Sequence, residues 1–303
     1  MQPSRSANRI AQIKMIATVI IWAGSFIAIK IAVGQASPVT VVWLRLLIGL
    51  LILGLVAYRR GELGLPSLDD AFKLLLVGFL GITLHQWLQS NALVTTEAST
   101  TAWIVSTIPV FMVLLGWFFL KEKPGWITVL GIFLAVVGVL LVVSKGGLDS
   151  LFQGDFGKPG DILVLISALN WAVFSILSRP LLKHYSATRF TFYIMLFGWL
   201  LSSLQFLAGA KWIELGKLSP DGWLSIIYLG VFCSALAYIF YNDGLKLLPI
   251  SQVGAFLYLQ PLVATLLAAL LLSEEIMFAT LAGGGLILLG IWLVNRNTVD
   301  RAS

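Results

Sequence analysis

The sequence predicts an all-α membrane protein in which ten transmembrane helices form two inverted five-helix repeats. The prediction rests on composition, on the length of the apolar segments and on an internal duplication. Of the 303 residues, 59% are hydrophobic and only 11% are charged, and the mean hydropathy is +0.95. A water-soluble domain keeps a charged exterior, and this chain has too few charged residues to cover one.

Ten apolar segments follow one another along the chain with short polar connections. They cover residues 13–33, 39–58, 71–90, 95–120, 125–143, 161–182, 190–208, 222–245, 251–272 and 278–294. Each is close to the ~20 residues that a helix needs to cross a ~30 Å hydrocarbon core. Because hydrocarbon offers no partner for backbone groups, we expect every segment to be a helix.

The second half of the chain repeats the first at an offset of about 150 residues. Residues 78–142 align with residues 230–294 without a gap. Matching pairs include Pro109 and Pro261, Glu122 and Glu274, Gly131 and Gly283, Gly138 and Gly290, Trp22 and Trp171, and Gly49 and Gly198. We therefore predict two units, 1–147 and 148–303. A unit with five crossings and its copy lie in the bilayer with opposite orientations.

The distribution of basic residues predicts the topology. The chain carries a net charge of +6, which could indicate a nucleic-acid partner. With a cytoplasmic N-terminus, however, the outer connections contain only Lys145, Lys158, Lys211 and Lys217, and most other basic residues fall on the inner side. This asymmetry is typical of membrane proteins. We predict that both termini are cytoplasmic and that the protein has no nucleic-acid partner.

Glycine and proline at matching positions predict how the spans pack and bend. Gly131 and Gly138, like their equivalents in the tenth span, are two helical turns apart and share a face. Small residues at this spacing let helices approach closely, so the fifth and tenth spans are expected to form a scaffold. Pro109 and Pro261 lie inside the fourth and ninth spans and should bend them. A fixed kink and a hinge are both open interpretations.

Several of these residues also form a recognisable pattern. Trp22 to Gly24 with Phe26, Arg45, and the run from Ser99 through Pro109 to Glu122 and Gly138 resemble the drug/metabolite transporter superfamily. Within it, the chain is similar to the EamA-type ten-helix exporters of amino acids and metabolites. The resemblance implies a bacterial inner-membrane carrier with a central cavity lined by helices one, three, four, six, eight and nine, and transport by alternating access. Arg45 departs from the duplication, because Ile194 occupies its place in the second half.

Polar and aromatic side chains inside the spans are the candidate binding residues, because such groups normally face a bundle interior. The predicted substrate-binding residues are Trp22, His85, Gln89, Trp103, Thr107, Trp171, Ser175, Tyr238, Tyr241 and Tyr258. For the three tryptophans, plain packing is the alternative. A cavity of rings, hydroxyls and amides suits small amphipathic solutes such as hydrophobic amino acids, whose ammonium group can lie over a ring.

The few titratable groups in or near the spans leave several interpretations open. His85 could be a hydrogen-bonded core residue or a proton carrier. Lys30 and Arg45 could reach the membrane surface, form a structural pair with a residue such as Glu97, or contact a substrate carboxylate. Glu122 and Glu274 lie at matching span ends, where capping or pairing is expected.

These observations favour an exporter of amino acids, aromatic or hydrophobic ones in particular, or of related small metabolites. Export of drug-like or cationic compounds is the alternative, disfavoured because the spans lack a deep carboxylate. An intramembrane enzyme is disfavoured because no catalytic set is present. A receptor or scaffold stays open. We predict no metal and no cofactor, since His85 has no second ligand at metal-binding spacing. The bilayer and a small solute are the expected partners, and a monomer would suffice.

Overall fold

The protein is a helical bundle, seen in a computed structural model that describes residues 5–120, 125–147, 157–209 and 211–300. These residues contain helices and no strand. The helices are α1 (Arg5–Val33), α2 (Pro38–Arg59), α3 (Leu68–Thr95), α4 (Ala98–Val105 and Ile108–Leu120), α5 (Trp126–Val143), α6 (Pro159–Leu182), α7 (Ala187–Ala208), α8 (Pro220–Leu247), α9 (Ile250–Leu257 and Leu259–Leu272) and α10 (Phe278–Asp300). A short 3₁₀ helix, Lys211–Lys217, precedes α8.

The predicted fold class is confirmed. Within the described residues, nine helices are long and apolar enough to cross a membrane, and α10 contains a shorter apolar stretch, Phe278–Val294. Helices α1 and α3 begin before the apolar segments that predicted them, because polar residues can continue a helix beyond the hydrocarbon. Local signals set the starts: Pro38 occupies the first turn of α2, and Ser186 accepts the backbone N–H of Arg189 at 3.1 Å at the start of α7.

Helices α5 and α10 cross with their backbones in contact. A methyl group on Gly131 would lie 2.4 Å from the carbonyl oxygen of Gly290, and one on Gly138 would lie 2.5 Å from that of Gly283. The contacts are reciprocal, since a methyl on Gly290 would lie 2.4 Å from the oxygen of Gly131. Only glycine fits at such a crossing. The fifth and tenth spans were predicted to form a scaffold, and the structure packs them against each other at these glycines.

A second pair of close crossings relates the two halves. Gly78 in α3 approaches α7, where an added methyl would lie 2.8 Å from the oxygen of Ile194. Gly230 in α8 approaches α2, where the methyl would lie 3.1 Å from the oxygen of Arg45. Gly78 matches Gly230 and Ile194 matches Arg45 in the internal repeat. The duplicated sequence therefore makes the same contact twice. In each contact, a glycine of one half approaches a backbone oxygen of the other half.

Helices α3 and α8 each contain a π-helical segment, Phe79–Leu84 and Leu229–Leu236. The sequence analysis did not foresee these wider turns, which fall at matching positions of the repeat. A π turn leaves carbonyl groups without their usual partner four residues on. The Tyr238 hydroxyl donates to the oxygen of Gly81 at 2.9 Å, and the Trp22 indole donates to the oxygen of the equivalent Cys233 at 3.2 Å. In each π segment, a side chain from a neighbouring helix thus supplies a hydrogen-bond donor to a carbonyl oxygen.

Both proline-containing helices are interrupted. Helix α4 breaks at Ser106 and Thr107, just before Pro109, and α9 breaks at Tyr258, just before Pro261. The breaks occupy equivalent positions, because proline removes a helical hydrogen bond in each half. Each helix is thus interrupted just before its proline, where the sequence predicted a bend. Movement about Pro109 and Pro261 stays a prediction.

Two predictions fall at the edge of what the structure describes. The boundary between the units at 147/148 stays a prediction, because residues 148–156 lie outside the described residues. The expected capping or pairing role of Glu122 also lies outside them. The cytoplasmic location of the termini remains a prediction from the charge distribution.

Candidate functional site

A cavity lies at the centre of the bundle, where the two halves meet. Its lining residues are Trp22, Ser25, Phe26, Arg45, His85, Gln86, Gln89, Val105, Ile108, Trp171, Tyr238, Leu257 and Gln260. They come from α1, α3, α4, α6, α8 and α9, the six helices that the resemblance implied, and also from α2 through Arg45. The free space is about 30 Å³, enough for about two water molecules.

The cavity lies on the pseudo-two-fold axis of the repeat. Four pairs of equivalent positions line it: Trp22 and Trp171, Gln86 and Tyr238, Val105 and Leu257, and Ile108 and Gln260. The amide nitrogen of Gln86 donates to the hydroxyl of its equivalent, Tyr238, at 3.0 Å. Equivalent residues can touch only near the axis that relates them, so the inverted halves share this site.

The aromatic wall of the cavity is held by hydrogen bonds from behind. The rings of Trp22 and Trp171 are perpendicular, with centroids 5.3 Å apart. The Trp171 indole donates to the Tyr241 hydroxyl at 3.1 Å, and this hydroxyl lies 2.9 Å from the hydroxyl of Ser175. Fixed ring orientations of this kind present a rigid apolar surface with few rotatable bonds.

Among the described lining residues, Arg45 is the one with an obligatory positive charge. It is only 2% exposed. Its Nε donates to the Ser234 hydroxyl at 3.1 Å and its Nη1 to the side-chain oxygen of Gln86 at 2.7 Å. Both acceptors are neutral. No ion pair between described residues includes Arg45, so the structure gives this charge no opposite charge.

His85 faces the same cavity from α3. Its ring centroid lies 4.5 Å from that of Trp171, and its buried Nδ1 has no hydrogen-bond partner among the described residues. Gln89, one turn further along α3, also lines the cavity. The contacts of His85 are compatible with either predicted role, so proton coupling remains open.

The structure brings together half of the predicted binding residues. Trp22, His85, Gln89, Trp171 and Tyr238 line the cavity. Ser175 and Tyr241 lie one layer behind, bonded to each other and to Trp171.

Trp103, Thr107 and Tyr258 lie outside the cavity. Trp103 packs on α10, where a methyl on Gly284 would lie 2.5 Å from its ring, and Tyr258 packs against the same apolar cluster. Thr107 lines a separate apolar pocket between α4 and α5. The hydroxyl of Thr107 donates to the carbonyl oxygen of Ile104 at 2.7 Å, and hydroxyls bonded to their own helix need no polar cavity.

Four polar lining residues, Ser25, Arg45, Gln86 and Gln260, were not in the predicted binding set, although contact of Arg45 with a substrate carboxylate was one of the open interpretations. The sequence held a signal for two of them. Gln86 aligns with Tyr238 in the repeat, and Arg45 is a charged residue inside a span that the second half does not duplicate. Gln86 follows His85 in a helix that contains a π segment. A regular 3.6-residue period therefore cannot predict which side chains of this helix face the cavity.

Acidic side chains outside the cavity lining form hydrogen bonds and ion pairs near the helix ends. Glu274 accepts hydrogen bonds from the backbone N–H groups of Ala98 and Ser99, at 2.8 and 3.1 Å, so its predicted capping role is confirmed. Glu97 pairs with Lys145 and Lys158, and the structure does not pair it with Lys30 or Arg45. Lys30 instead donates to the backbone oxygen of Thr96.

Glu214 makes a similar cap at the start of α2, where it accepts from the backbone N–H of Ser37 at 2.8 Å, and its removal should destabilise the protein. Burial alone would raise the pKa of the Glu214 carboxyl, but hydrogen bonds from Thr40 and Ser37 outweigh it and lower the pKa from 4.5 to about 2. A lowered folded-state pKa gives stability that is complete above pH 4.5 and disappears as the pH falls toward 2. We expect Glu214→Gln to cost about 1 kcal/mol at pH 7. Thermal unfolding of both proteins at pH 7 and pH 3 checks this, and a constant difference would contradict it.

The inverted helical halves, with one shared cavity on their axis, have the architecture of a membrane transporter. The sequence pattern of the EamA-like transporter family matches residues 9–144 and 158–296, one match in each half. The chain belongs to the EamA-like transporter family.

Individual relatives resemble the chain over nearly its whole length. It is 30% identical to an uncharacterized transporter of Archaeoglobus fulgidus, over 91% of this chain and 94% of that protein. It is 28% identical to a probable terminal-alkyne amino-acid exporter of Streptantibioticus cattleyicolor, over 95% and 94% of the two chains. A solved crystal structure with 20% identity superposes on 99% of this chain and 100% of its own, with a TM-score of 0.69. This last likeness concerns the fold alone.

Proposed function

We propose that the protein exports amino acids, aromatic or hydrophobic ones in particular, or related small metabolites, across the bacterial inner membrane. The observation that carries the proposal is the cavity on the pseudo-two-fold axis, with Trp22, Trp171 and Tyr238 in its wall and the amides of Gln86, Gln89 and Gln260 beside them. Rings bind the apolar part of a solute, and amides bind its polar part. The relative named as an amino-acid exporter supports this substrate class.

We propose alternating access as the mechanism. The free space of about 30 Å³ holds about two water molecules, so a larger solute enters when the halves separate on one side. The breaks at Ser106–Thr107 and at Tyr258 occupy equivalent places and can bend while the α5–α10 crossing stays fixed. The two halves are inverted copies of each other. If one half adopts the conformation of the other and the reverse, a site open to one side of the membrane becomes open to the opposite side.

Export of cationic drug-like compounds is less well supported. Arg45 places a positive charge in the lining, and the described lining residues include no carboxylate to oppose a cation. A cation entering the site would meet like charge in a low dielectric, where such repulsion is strong.

Counterflow in reconstituted vesicles tests the function. Proteoliposomes preloaded with unlabelled phenylalanine, leucine or another of the twenty amino acids should accumulate the same labelled amino acid above the level of protein-free vesicles. The aromatic and aliphatic members should give the strongest signal. A parallel series with a pH gradient tests proton coupling. Failure of counterflow with all twenty amino acids would contradict the proposed substrate class.

A further inference from the structure

We propose that Arg45 binds the carboxylate group of the substrate and makes the protein selective for carboxylate-bearing solutes. This inference rests on the proposed function.

The positive charge of Arg45 is buried at a cost in solvation free energy. Arg45 is 2% exposed and has no opposite charge among the described residues. Taking an ion out of water costs several kcal/mol unless a counter-charge compensates for the lost solvation. Ser234 and Gln86 supply neutral acceptors only. An anionic group in the adjacent cavity would supply the missing charge.

The guanidinium of Arg45 is held in a fixed orientation. Ser234 in α8 holds Nε, and Gln86 in α3 holds Nη1, so two helices fix the plane of the guanidinium. The residue lines the cavity. A guanidinium has five N–H donors in a planar fork that matches the two oxygens of a carboxylate. A positioned fork beside an empty space is suited to this group, whereas a lysine ammonium would act as a point charge.

Hydrogen bonds connect Arg45 with the helices that meet at the pseudo-two-fold axis. The Gln86 side chain accepts from Arg45 at 2.7 Å and donates to Tyr238 at 3.0 Å. Tyr238 in turn donates to the oxygen of Gly81 in the π segment of α3. An anion bound to Arg45 therefore acts on a hydrogen-bonded chain that joins the first half to the second.

Solutes with and without a carboxylate differ in the charge that they bring to Arg45. A zwitterionic amino acid would place its carboxylate on Arg45 and its ammonium over the rings of Trp22, Trp171 or Tyr238. The corresponding amide or amine keeps the ammonium and loses the anion, so it brings a cation to an uncompensated Arg45. Hydrogen bonds to charged groups contribute about 1.5–3 kcal/mol, and we expect the carboxylate to be preferred by about 10–100-fold.

The wild-type protein provides the first test. In proteoliposomes that show phenylalanine counterflow, unlabelled phenylalanine, N-acetylphenylalanine, phenylalaninamide and phenethylamine are compared as competitors. The two carboxylates should inhibit at concentrations about 10–100-fold lower than the amide and the amine. Equal inhibition by phenylalanine and phenylalaninamide would overturn the role of Arg45 and leave the exporter function intact. Absence of any amino-acid counterflow would instead overturn the proposed function.

Variants of Arg45 separate recognition from a structural role. Arg45→Gln should remove the preference for the carboxylate over the amide, and Arg45→Lys should keep part of it. A purely structural role would lower transport of both solutes equally and leave their ratio unchanged. Lys30→Gln is the matched control, because Lys30 is a basic residue of a neighbouring span that bonds to Thr96 outside the lining, and its ratio should equal that of the wild type. If Arg45→Gln does not fold, the ratio for Arg45→Lys and the wild-type competition decide.

Discussion

Replacement of Gly290 by alanine is expected to destabilise the protein by about 3 kcal/mol, a large effect for one methyl group. The methyl would lie 2.4 Å from the carbonyl oxygen of Gly131 and 2.7 Å from the backbone nitrogen of Ala135. Both neighbours are backbone atoms, which cannot move aside without separating α5 from α10. Thermal unfolding of the purified protein in detergent measures the loss.

Gly285 on the same helix provides the control. A methyl there meets nothing within 4 Å, so Gly285→Ala has only the effect of helix propensity, which favours alanine over glycine. We expect its stability to equal or slightly exceed that of the wild type. Equal destabilisation by the two substitutions would mean that α10 is sensitive to any added methyl, and would contradict the proposed crossing.

Replacement of Trp22 or Trp171 by phenylalanine is expected to raise the KM for the exported amino acid about tenfold, a change of about 1.4 kcal/mol. Both rings line the cavity. Each also loses a hydrogen bond in the variant, the Trp22 indole to the oxygen of Cys233 and the Trp171 indole to the Tyr241 hydroxyl. Counterflow at graded substrate concentrations measures KM and the maximal rate separately.

Trp103→Phe is the matched control, because Trp103 is also a tryptophan well inside a span. It packs on Gly284 in α10, outside the cavity, and its indole nitrogen is buried with no hydrogen-bond partner among the described residues. Its replacement should change the melting temperature and leave KM unaltered. A KM change as large as those of Trp22→Phe and Trp171→Phe would place Trp103 in the substrate path and contradict the assignment of the cavity.

The fold could be predicted from the sequence because the strongest constraints on it are visible there. The length of the apolar segments predicted the spans, and the offset alignment predicted the two halves. Gly131, Gly138, Gly283 and Gly290 indicated close-packing faces on two spans, which the structure brings together. The bends before Pro109 and Pro261 followed from the missing N–H of proline. These features depend on local chemistry, which a sequence records directly.

The cavity was predicted less completely because its wall depends on how each helix is rotated. The stripe of hydroxyl and aromatic residues on α4 indicated a polar face, yet Ser106 and Thr107 bond to carbonyl oxygens of their own helix, and Val105 and Ile108 line the cavity instead. The π segments shift the faces of α3 and α8 in a way that no 3.6-residue pattern contains. Arg45 was recognised as unduplicated, but its position in the lining required the structure.

The central claim is that two copies of one five-helix unit lie in the membrane with opposite orientations around a shared cavity. Single cysteines at Leu65 and Lys217, in a Cys233→Ala background, test it most directly. Both residues are exposed and lie in the connections between α2 and α3 and between α7 and α8, which correspond in the two halves. A membrane-impermeant maleimide added to intact cells should label position 217 and should reach position 65 only after permeabilisation. Labelling of both positions from the same side would contradict the inverted arrangement.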